Sequence, residues 1–164
     1  MGSGKSDIRD PGKSPGELQL MGAGGLFTGG GAAPLADRMI EITDGVVTGI
    51  APAGEAGGQA DAHFDIVAPG FIDLQINGAG GALFNDAPDT DSIARMVAAA
   101  RRGGTCHLLP TYITAAGTGY ADALAAVAAW QGPEVLGIHL EGPFLSPARP
   151  GIHPPAHIRS MAED

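Results

Sequence analysis

Three things are scarce in this sequence: cysteine, basic residues and long apolar runs. Cys106 is the only cysteine, which excludes an internal disulfide framework and is consistent with a reducing cytoplasm. No window offers the roughly 18 uninterrupted apolar residues that a membrane helix needs. Nine Lys and Arg stand against 18 Asp and Glu, giving a net charge of −9. Because such a surface repels nucleic-acid phosphates and anionic lipid, we expect neither partner. The single cysteine and the lack of a long apolar run predict a cytoplasmic protein.

The chain is nevertheless rich enough in apolar residues to fold. Of its 164 residues, 44% are hydrophobic, so a packed core is expected. This length allows one ordinary domain, or a small domain with part of a larger one. Residues 1–17 are polar and rich in Gly, Ser, Lys and Pro, and they are interpreted as a disordered extension or tag.

Residues 18–66 contain short apolar segments separated by turn residues, which predicts a small antiparallel sheet. Asp44 and Gly45 lie between two β-branched runs. An Asp-Gly pair accepts the positive φ angles of a type I′ turn, so a hairpin is expected there.

From residue 67 onward the pattern alternates between strands and helices. Strands are predicted over residues 67–77, 106–113 and 135–140, with helices over residues 91–102 and 120–131 between them. Successive βαβ units predict a parallel sheet or barrel. Three units cannot close an eight-stranded barrel, which takes about 250 residues. The sequence therefore indicates either a smaller open sheet or a fragment of a barrel.

Polar side chains gather where the first predicted strand ends. Strand alternation puts Asp73, Gln75 and Asn77 on one face and Ile72, Leu74 and Ile76 on the other. If the apolar face meets the helices, the polar face points into a barrel. A lone buried amide usually ties neighbouring loops together. Three polar residues at the carboxyl end of a parallel strand favour a functional site instead.

The third predicted strand carries His139 and Glu141 on one face. A carboxylate at the end of a buried strand needs a cation, a basic side chain or backbone donors. Glu141 could therefore be a metal ligand or a residue that holds neighbouring segments together, and the sequence leaves both roles open. His139 is expected to be a hydrogen-bonded core residue.

The other histidines and the cysteine form no metal-binding motif by spacing. His107 and Cys106 are expected to pack within the second strand. Pro154 and Pro155 exclude a helical pair of His153 with His157. His153 lies on a rigid loop beyond Glu141 and could lean over the strand ends, whereas His157 is expected to face solvent.

Three segments in combination are similar to the N-acetylglucosamine-6-phosphate deacetylases. The segment 67–81 (VAPGFIDLQINGAGG), with 84–86 (FND) after it, resembles the first barrel strand of that family. The segment 104–111 (GTCHLLPT) resembles the second. The segment 137–144 (GIHLEGPF), followed by 151–153 (GIH), resembles the third strand and its loop. The resemblance covers about residues 18–164 and suggests an N-terminal portion of such a protein.

The resemblance implies a fold and a set of site residues. The fold would be α/β: the first three βα units of a (β/α)8 barrel over residues 67–164, with residues 18–66 forming part of a small β-sandwich domain. Glu141 would be a ligand of the catalytic divalent metal, and His153 would bind and polarise the acetamido carbonyl. Gln75 and Asn77 stand where many amidohydrolases have His-x-His, which implies one metal ion, most simply zinc.

The implied reaction is hydrolysis of the acetamido group of N-acetylglucosamine 6-phosphate. Gln75, Asn77, Gly142 and His153 would contact the sugar phosphate. The remaining metal ligands would lie beyond Asp164, so this polypeptide alone is expected to be inactive, and the full-length protein is expected to be a homodimer.

Two alternatives stay open. One is a different amidohydrolase, similar to dihydroorotases or dipeptidases, although the Gln-x-Asn pair and the HLEGPF run argue against it. The other is a truncated, non-catalytic chain that serves only as an interaction partner.

Overall fold

The computed structural model describes residues 19–161. The predicted extension over residues 1–17 lies outside the described residues. The chain divides into two compact units between Pro69 and Gly70, a few residues after the boundary that the sequence predicts. In residues 19–161 no helix combines the length and apolar character that a membrane crossing requires.

The first unit is a four-stranded sheet in the order β3-β2-β1-β4. Its strands are β1 (Gln19–Leu26), β2 (Leu35–Thr43), β3 (Val46–Pro52) and β4 (Ala62–Val67). The predicted hairpin between β2 and β3 is confirmed, because Asp44 and Gly45 have φ angles of 52° and 77°, both positive as a type I′ turn requires. A small buried cluster of Ala23, Leu26 and Ile40 holds the strands together.

The prediction of a purely antiparallel sheet was wrong for β4. This strand pairs with β1 in parallel, because residues 53–61 carry the chain from one edge of the sheet to the other. Turn chemistry predicts the hairpin, but it carries no information about such a crossover. The strands described in this unit form one sheet, and the β-sandwich stays a prediction.

The second unit alternates strands with helices, as the sequence predicts. Its main elements are β5 (Phe71–Ile76), α1 (Thr90–Arg102), β8 (Thr105–Ile113), α2 (Gly119–Ala129) and β9 (His139–Glu141), with a short hairpin β6 (Gly78–Ala79) and β7 (Ala82–Leu83) after β5 and a 3-10 helix at Pro155–His157. The main sheet has the order β5-β8-β9, and both of its pairings are parallel. The unit is therefore a βαβαβ arrangement, whose strands all end at one edge.

Both helices lie where the sequence predicts them, within two residues at each end. The residues that mark their ends lie next to them in the sequence. Asp89 caps α1 by accepting a 2.8 Å hydrogen bond from the Ser92 backbone N–H, which is the largest cause of the lowered pKa of its carboxyl. Gly103 ends α1, and Thr118 precedes α2. Apolar side chains from both helices pack against β8 in one core: Phe84, Ile93, Met96, Val97, Leu108, Tyr112, Ala123 and Ala126.

Two strand predictions need correction. The sequence predicts one strand over residues 67–77, but Val67 belongs to β4, where it pairs with Leu26, and β5 begins only at Phe71. The sequence also predicts a strand over residues 135–140, but Val135 forms only an isolated bridge with Leu108. Gly137, with a φ of 154°, interrupts the strand before β9.

The apolar face of β5 is largely uncovered. Ile72 is 54% exposed and Leu74 is 64% exposed, whereas only Ile76 packs against the core. The apolar face therefore meets the helical core only at Ile76, because α1 packs on β8 and the β6–β7 hairpin.

We expect the 164-residue polypeptide to self-associate through this strand, since an open edge with exposed apolar side chains favours pairing. Light scattering after size exclusion measures the mass. The double variant Ile72→Thr/Leu74→Thr is expected to be more monomeric, while Ile152→Thr, a change at an exposed loop residue, should leave the mass unchanged. Equal masses for all three proteins would contradict the role of β5.

Candidate active site

Three side chains meet at the carboxyl ends of β5 and β9. The Gln75 side-chain amide donates from Nε2 to Glu141 Oε2 over 2.9 Å. His153 lies 3.2 Å from the other carboxylate oxygen, measured from Nε2 to Oε1. Each oxygen of Glu141 therefore has its own partner, one from β5 and one from the loop after β9. The structure brings together these three of the predicted site residues.

The backbone of Glu141 is held by the end of β8. Glu141 pairs in register with Ile113, and its carbonyl accepts hydrogen bonds from Thr114 N at 2.9 Å and Thr114 Oγ1 at 3.1 Å. Thr114 is itself buried. The carboxylate thus projects from a backbone position fixed by two donors.

His153 is the most enclosed of the three side chains. It is 7% exposed, and its backbone N–H donates to the Pro150 carbonyl over 3.1 Å. With Nε2 on Glu141, its Nδ1 is buried and has no hydrogen-bond partner in the part of the chain that the structure describes. A buried imidazole nitrogen without a partner is costly, and a ligand at this position would supply one.

Asn77 is half-buried and does not join the Gln75–Glu141 contact. Its backbone carbonyl accepts from Phe84 N at 2.9 Å, and within residues 19–161 no hydrogen bond of its side chain is found. Asp73, on the same face, accepts from the Gln75 backbone N–H at 3.0 Å. Asp73 therefore turns back on its own strand.

The backbone conformation and the packing at position 142 both favour glycine. Its φ is 93°, in the region that favours glycine, and a β carbon there would overlap Thr114 Oγ1. We expect Gly142→Ala to lower the free energy of unfolding by about 1–2 kcal/mol from backbone strain alone, as measured by urea unfolding. The exposed Gly151, with a φ of 60° and open space around it, provides a matched variant, Gly151→Ala. If Gly142→Ala lowered the free energy of unfolding no more than Gly151→Ala, the overlap with Thr114 would not contribute to the loss.

The other histidines and the cysteine that the sequence analysis considered lie outside the Gln75–Glu141–His153 contact. His139 Nδ1 lies 3.3 Å from Thr111 Oγ1, which confirms its hydrogen-bonded place. His107 Nδ1 lies 2.9 Å from the Pro133 carbonyl. Cys106 is exposed, so its predicted packing was wrong, and His157 is half-buried rather than facing solvent.

Asn85 belongs to the 84–86 segment that resembles the deacetylases, but the sequence assigns it no role. Its side chain bonds to both backbone groups of Ile113: Nδ2 donates to the carbonyl at 3.0 Å, and Oδ1 accepts from the N–H at 2.9 Å. An asparagine after a short hairpin is a common turn residue, so the sequence offers no signal for this contact.

A cavity of about 470 Å³ lies near the ends of β8 and β9 and the start of α2. Its lining is mainly apolar and includes Tyr112, Leu140 and Phe144, but neither Glu141 nor His153. Leu140 and Glu141 are consecutive in β9 and point to opposite faces of the sheet. The cavity is therefore separate from the cluster of Gln75, Glu141 and His153, called the polar cluster below.

The polar cluster fits part of a metal site. Carboxylate oxygen and imidazole nitrogen are both zinc ligands, and a catalytic zinc usually takes three protein ligands. Residues 19–161 contain no group of three His, Cys, Asp or Glu side chains placed to hold an ion. Glu141 can supply one ligand, and a complete site needs further ligands.

Comparisons with known proteins point to one kind of enzyme. No protein-family model matches the chain. An N-acetylgalactosamine-6-phosphate deacetylase from Shewanella sp. is 41% identical over 132 residues, which are 76% of this chain and 34% of that protein. The N-acetylglucosamine-6-phosphate deacetylase of Haemophilus influenzae is 36% identical over 58% of this chain and 26% of its own length. The human enzyme of that name is 39% identical over 60% of this chain and 26% of its length.

Solved structures agree with the sequence comparisons. An N-acetylglucosamine-6-phosphate deacetylase from Pasteurella multocida matches with a TM-score of 0.73 and 25% identity, over 88% of this chain and 39% of its own. A mutant of the Mycobacterium smegmatis enzyme, solved in complex with N-acetyl-D-glucosamine-6-phosphate, matches with a TM-score of 0.71 and 33% identity, over 88% of this chain and 38% of its own. The chain spans about a quarter to a third of the length of these curated relatives. In sequence and in fold, it is similar to a part of the N-acetylglucosamine- and N-acetylgalactosamine-6-phosphate deacetylases.

Proposed function

We propose that the protein hydrolyses the acetamido group of N-acetylglucosamine 6-phosphate, giving glucosamine 6-phosphate and acetate. The observation that carries the proposal is the Glu141 carboxylate, held at the carboxyl end of a parallel strand between Gln75 and His153. In parallel α/β folds this edge is where catalytic residues gather. The similarity to deacetylases in sequence and fold supports the same reaction.

Glu141 is proposed as a ligand of one divalent metal ion, most simply zinc. When bound, such an ion lowers the pKa of its water and polarises a carbonyl oxygen. The Gln75 amide fixes the orientation of the carboxylate, because it holds one oxygen at 2.9 Å. Gln75 and Asn77 carry amides where zinc would favour imidazoles, which supports a single ion on this side of the site.

His153 is proposed to bind the acetamido group. Its ring is buried and placed against Glu141, so a carbonyl held there would lie beside the metal ligand. An imidazole N–H can donate to the oxygen on which negative charge develops as the amide is attacked. The unpartnered Nδ1 of His153 supports a ligand contact, and Asn77 and Gly142 are proposed to complete the sugar contacts.

The larger assembly is also part of the proposal. We infer that the βαβαβ unit is the start of a (β/α)8 barrel and that the four-stranded sheet belongs to a small β-sandwich. A homodimer in the cytoplasm is the expected state of the whole protein. The match to about a quarter to a third of the length of its relatives and the single carboxylate in the described site support the inference that further ligands lie elsewhere.

N-acetylgalactosamine 6-phosphate is a second candidate substrate. It is favoured by the 41% identity to a deacetylase named for that sugar. The two sugars differ only in the configuration at C4, away from the acetamido group, so the chemistry at Glu141 and His153 would be the same.

The test measures acetate release from both sugar phosphates by the protein expressed from its whole gene. We expect zinc-dependent turnover, removed by a chelator and restored by zinc, and the ratio of kcat/KM values decides between the two sugars. The 164-residue polypeptide serves as a comparison and is expected to give no turnover, since one carboxylate does not complete a zinc site. Absence of release from either sugar by the whole protein would reject the proposal.

A further inference from the structure

The side chain of Asn85 replaces a missing strand at the end of β8. In a parallel strand, the N–H and C=O of one residue point to the same edge, and those of the next residue point to the opposite edge. The N–H of Thr114 bonds to Glu141 on the β9 side, so the polar groups of Ile113 face the β5 side. There β5 pairs with β8 only as far as Ile76 and Pro110. The Asn85 amide supplies both hydrogen bonds that a longer β5 would have made.

Asn85 is itself firmly anchored. The preceding Phe84 is fully buried, and its ring packs edge-on against Tyr112 with the centroids 6.5 Å apart. The Phe84 backbone N–H donates to the Asn77 carbonyl at 2.9 Å. The segment Phe84–Asn85 therefore connects the end of β5 to the end of β8 through three hydrogen bonds and one buried ring.

The same point of β8 fixes Glu141 on its other side. Ile113 is the register partner of Glu141, and Thr114 donates twice to the Glu141 carbonyl. A shift of Ile113 would move Thr114 and with it the backbone that carries the carboxylate. It would also change the distance across β8 that the Gln75–Glu141 hydrogen bond spans.

We propose that Asn85 is a positioning residue for the Glu141 carboxylate. It acts through Ile113 and Thr114, without contact to substrate or metal, and it keeps the strand ends that carry Gln75 and Glu141 at a fixed spacing. This inference rests on the proposed function, because it assigns Glu141 to the metal. Partners that orient metal ligands typically affect metal affinity or activity 10–100-fold.

The test compares Asn85→Ala with Asp86→Ala in the protein expressed from its whole gene. Asp86 is the exposed neighbour in the same loop, so its substitution controls for loop changes. The measurements are zinc affinity by competition with a chromophoric chelator, kcat and KM at saturating zinc, and hydrogen exchange of the Thr114 amide. Asn85→Asp is the second variant; it keeps an acceptor for the Ile113 N–H but places a carboxylate oxygen against the Ile113 carbonyl.

We expect Asn85→Ala to weaken zinc binding about 10-fold, to lower kcat more than it changes KM, and to speed exchange at Thr114, which Asn85 does not touch. Asn85→Asp is expected to do the same, and Asp86→Ala to do none of these. Zinc affinity and kcat at wild-type levels in both Asn85 variants, with only a lower unfolding midpoint, would reduce Asn85 to a structural residue and overturn the inference. A wild-type protein whose zinc binding is unaffected by Glu141→Gln would instead overturn the proposed function itself.

Discussion

Glu141→Gln is expected to reduce deacetylation by the whole protein at least about 100-fold, the upper end of what is lost when only a partner of a metal ligand is removed. The substituted amide has nearly the shape of the carboxylate but no negative charge, and it is a poor zinc ligand. The backbone bonds from Thr114 to residue 141 do not involve the side chain, so the local fold should persist. Steady-state acetate release at saturating substrate measures the loss.

The matched control is Glu55→Gln, the same chemical change at an exposed turn residue of the first unit. It should leave activity unchanged. Equal activity of Glu141→Gln and wild type, with both proteins folded by circular dichroism, would remove Glu141 from the metal site. Glu141 would then have only a structural role, as the common hydrogen-bond partner of Gln75 and His153.

His153→Ala is expected to lower kcat by about 10²–10³-fold, the range found when one donor to a developing oxyanion is removed. The proposal gives this imidazole a second role, since it also holds Glu141 Oε1 at 3.2 Å. Assays at saturating zinc separate the two roles, because weaker metal binding then no longer contributes. The remaining loss of kcat reports the contact with the substrate.

His157→Ala is the control for this prediction. His157 lies four residues later in the chain, in the short 3-10 helix, and it is half-buried. We expect kcat of His157→Ala to stay near the wild-type value. If zinc saturation restored full kcat to His153→Ala, its role would be limited to holding Glu141.

Much of the fold follows from local chemistry that a sequence displays. The hairpin at Asp44 and Gly45 depends on two positive φ angles, and α1 depends on a cap at Asp89 and a stop at Gly103. Each signal lies within a few residues of the structure it determines. The parallel pairing of β4 with β1 depends on the path of a long connection, which residue types do not encode in a readable way.

The site was predictable in part for the same reason. Strand alternation groups Gln75 with Asp73 and Asn77, and Glu141 with His139, and the structure joins the Gln75 and Glu141 side chains at 2.9 Å. Alternation also groups Ile72 and Leu74 on one apolar face, yet both are more than half exposed. Alternation tells which residues share a face, but not what covers that face.

The contribution of Asn85 was beyond a sequence argument. Its two hydrogen bonds reach Ile113, 28 residues away in the chain, and they exist because β5 ends short of β8. The lengths of two neighbouring strands must be known before the unpaired edge becomes visible.

The proposal that Glu141 holds the catalytic metal is tested most directly by the zinc content of the purified whole protein. After dialysis against metal-free buffer, elemental mass spectrometry should find one zinc ion per wild-type chain and almost none in Glu141→Gln. The same zinc content in the folded variant and the wild type would contradict that assignment.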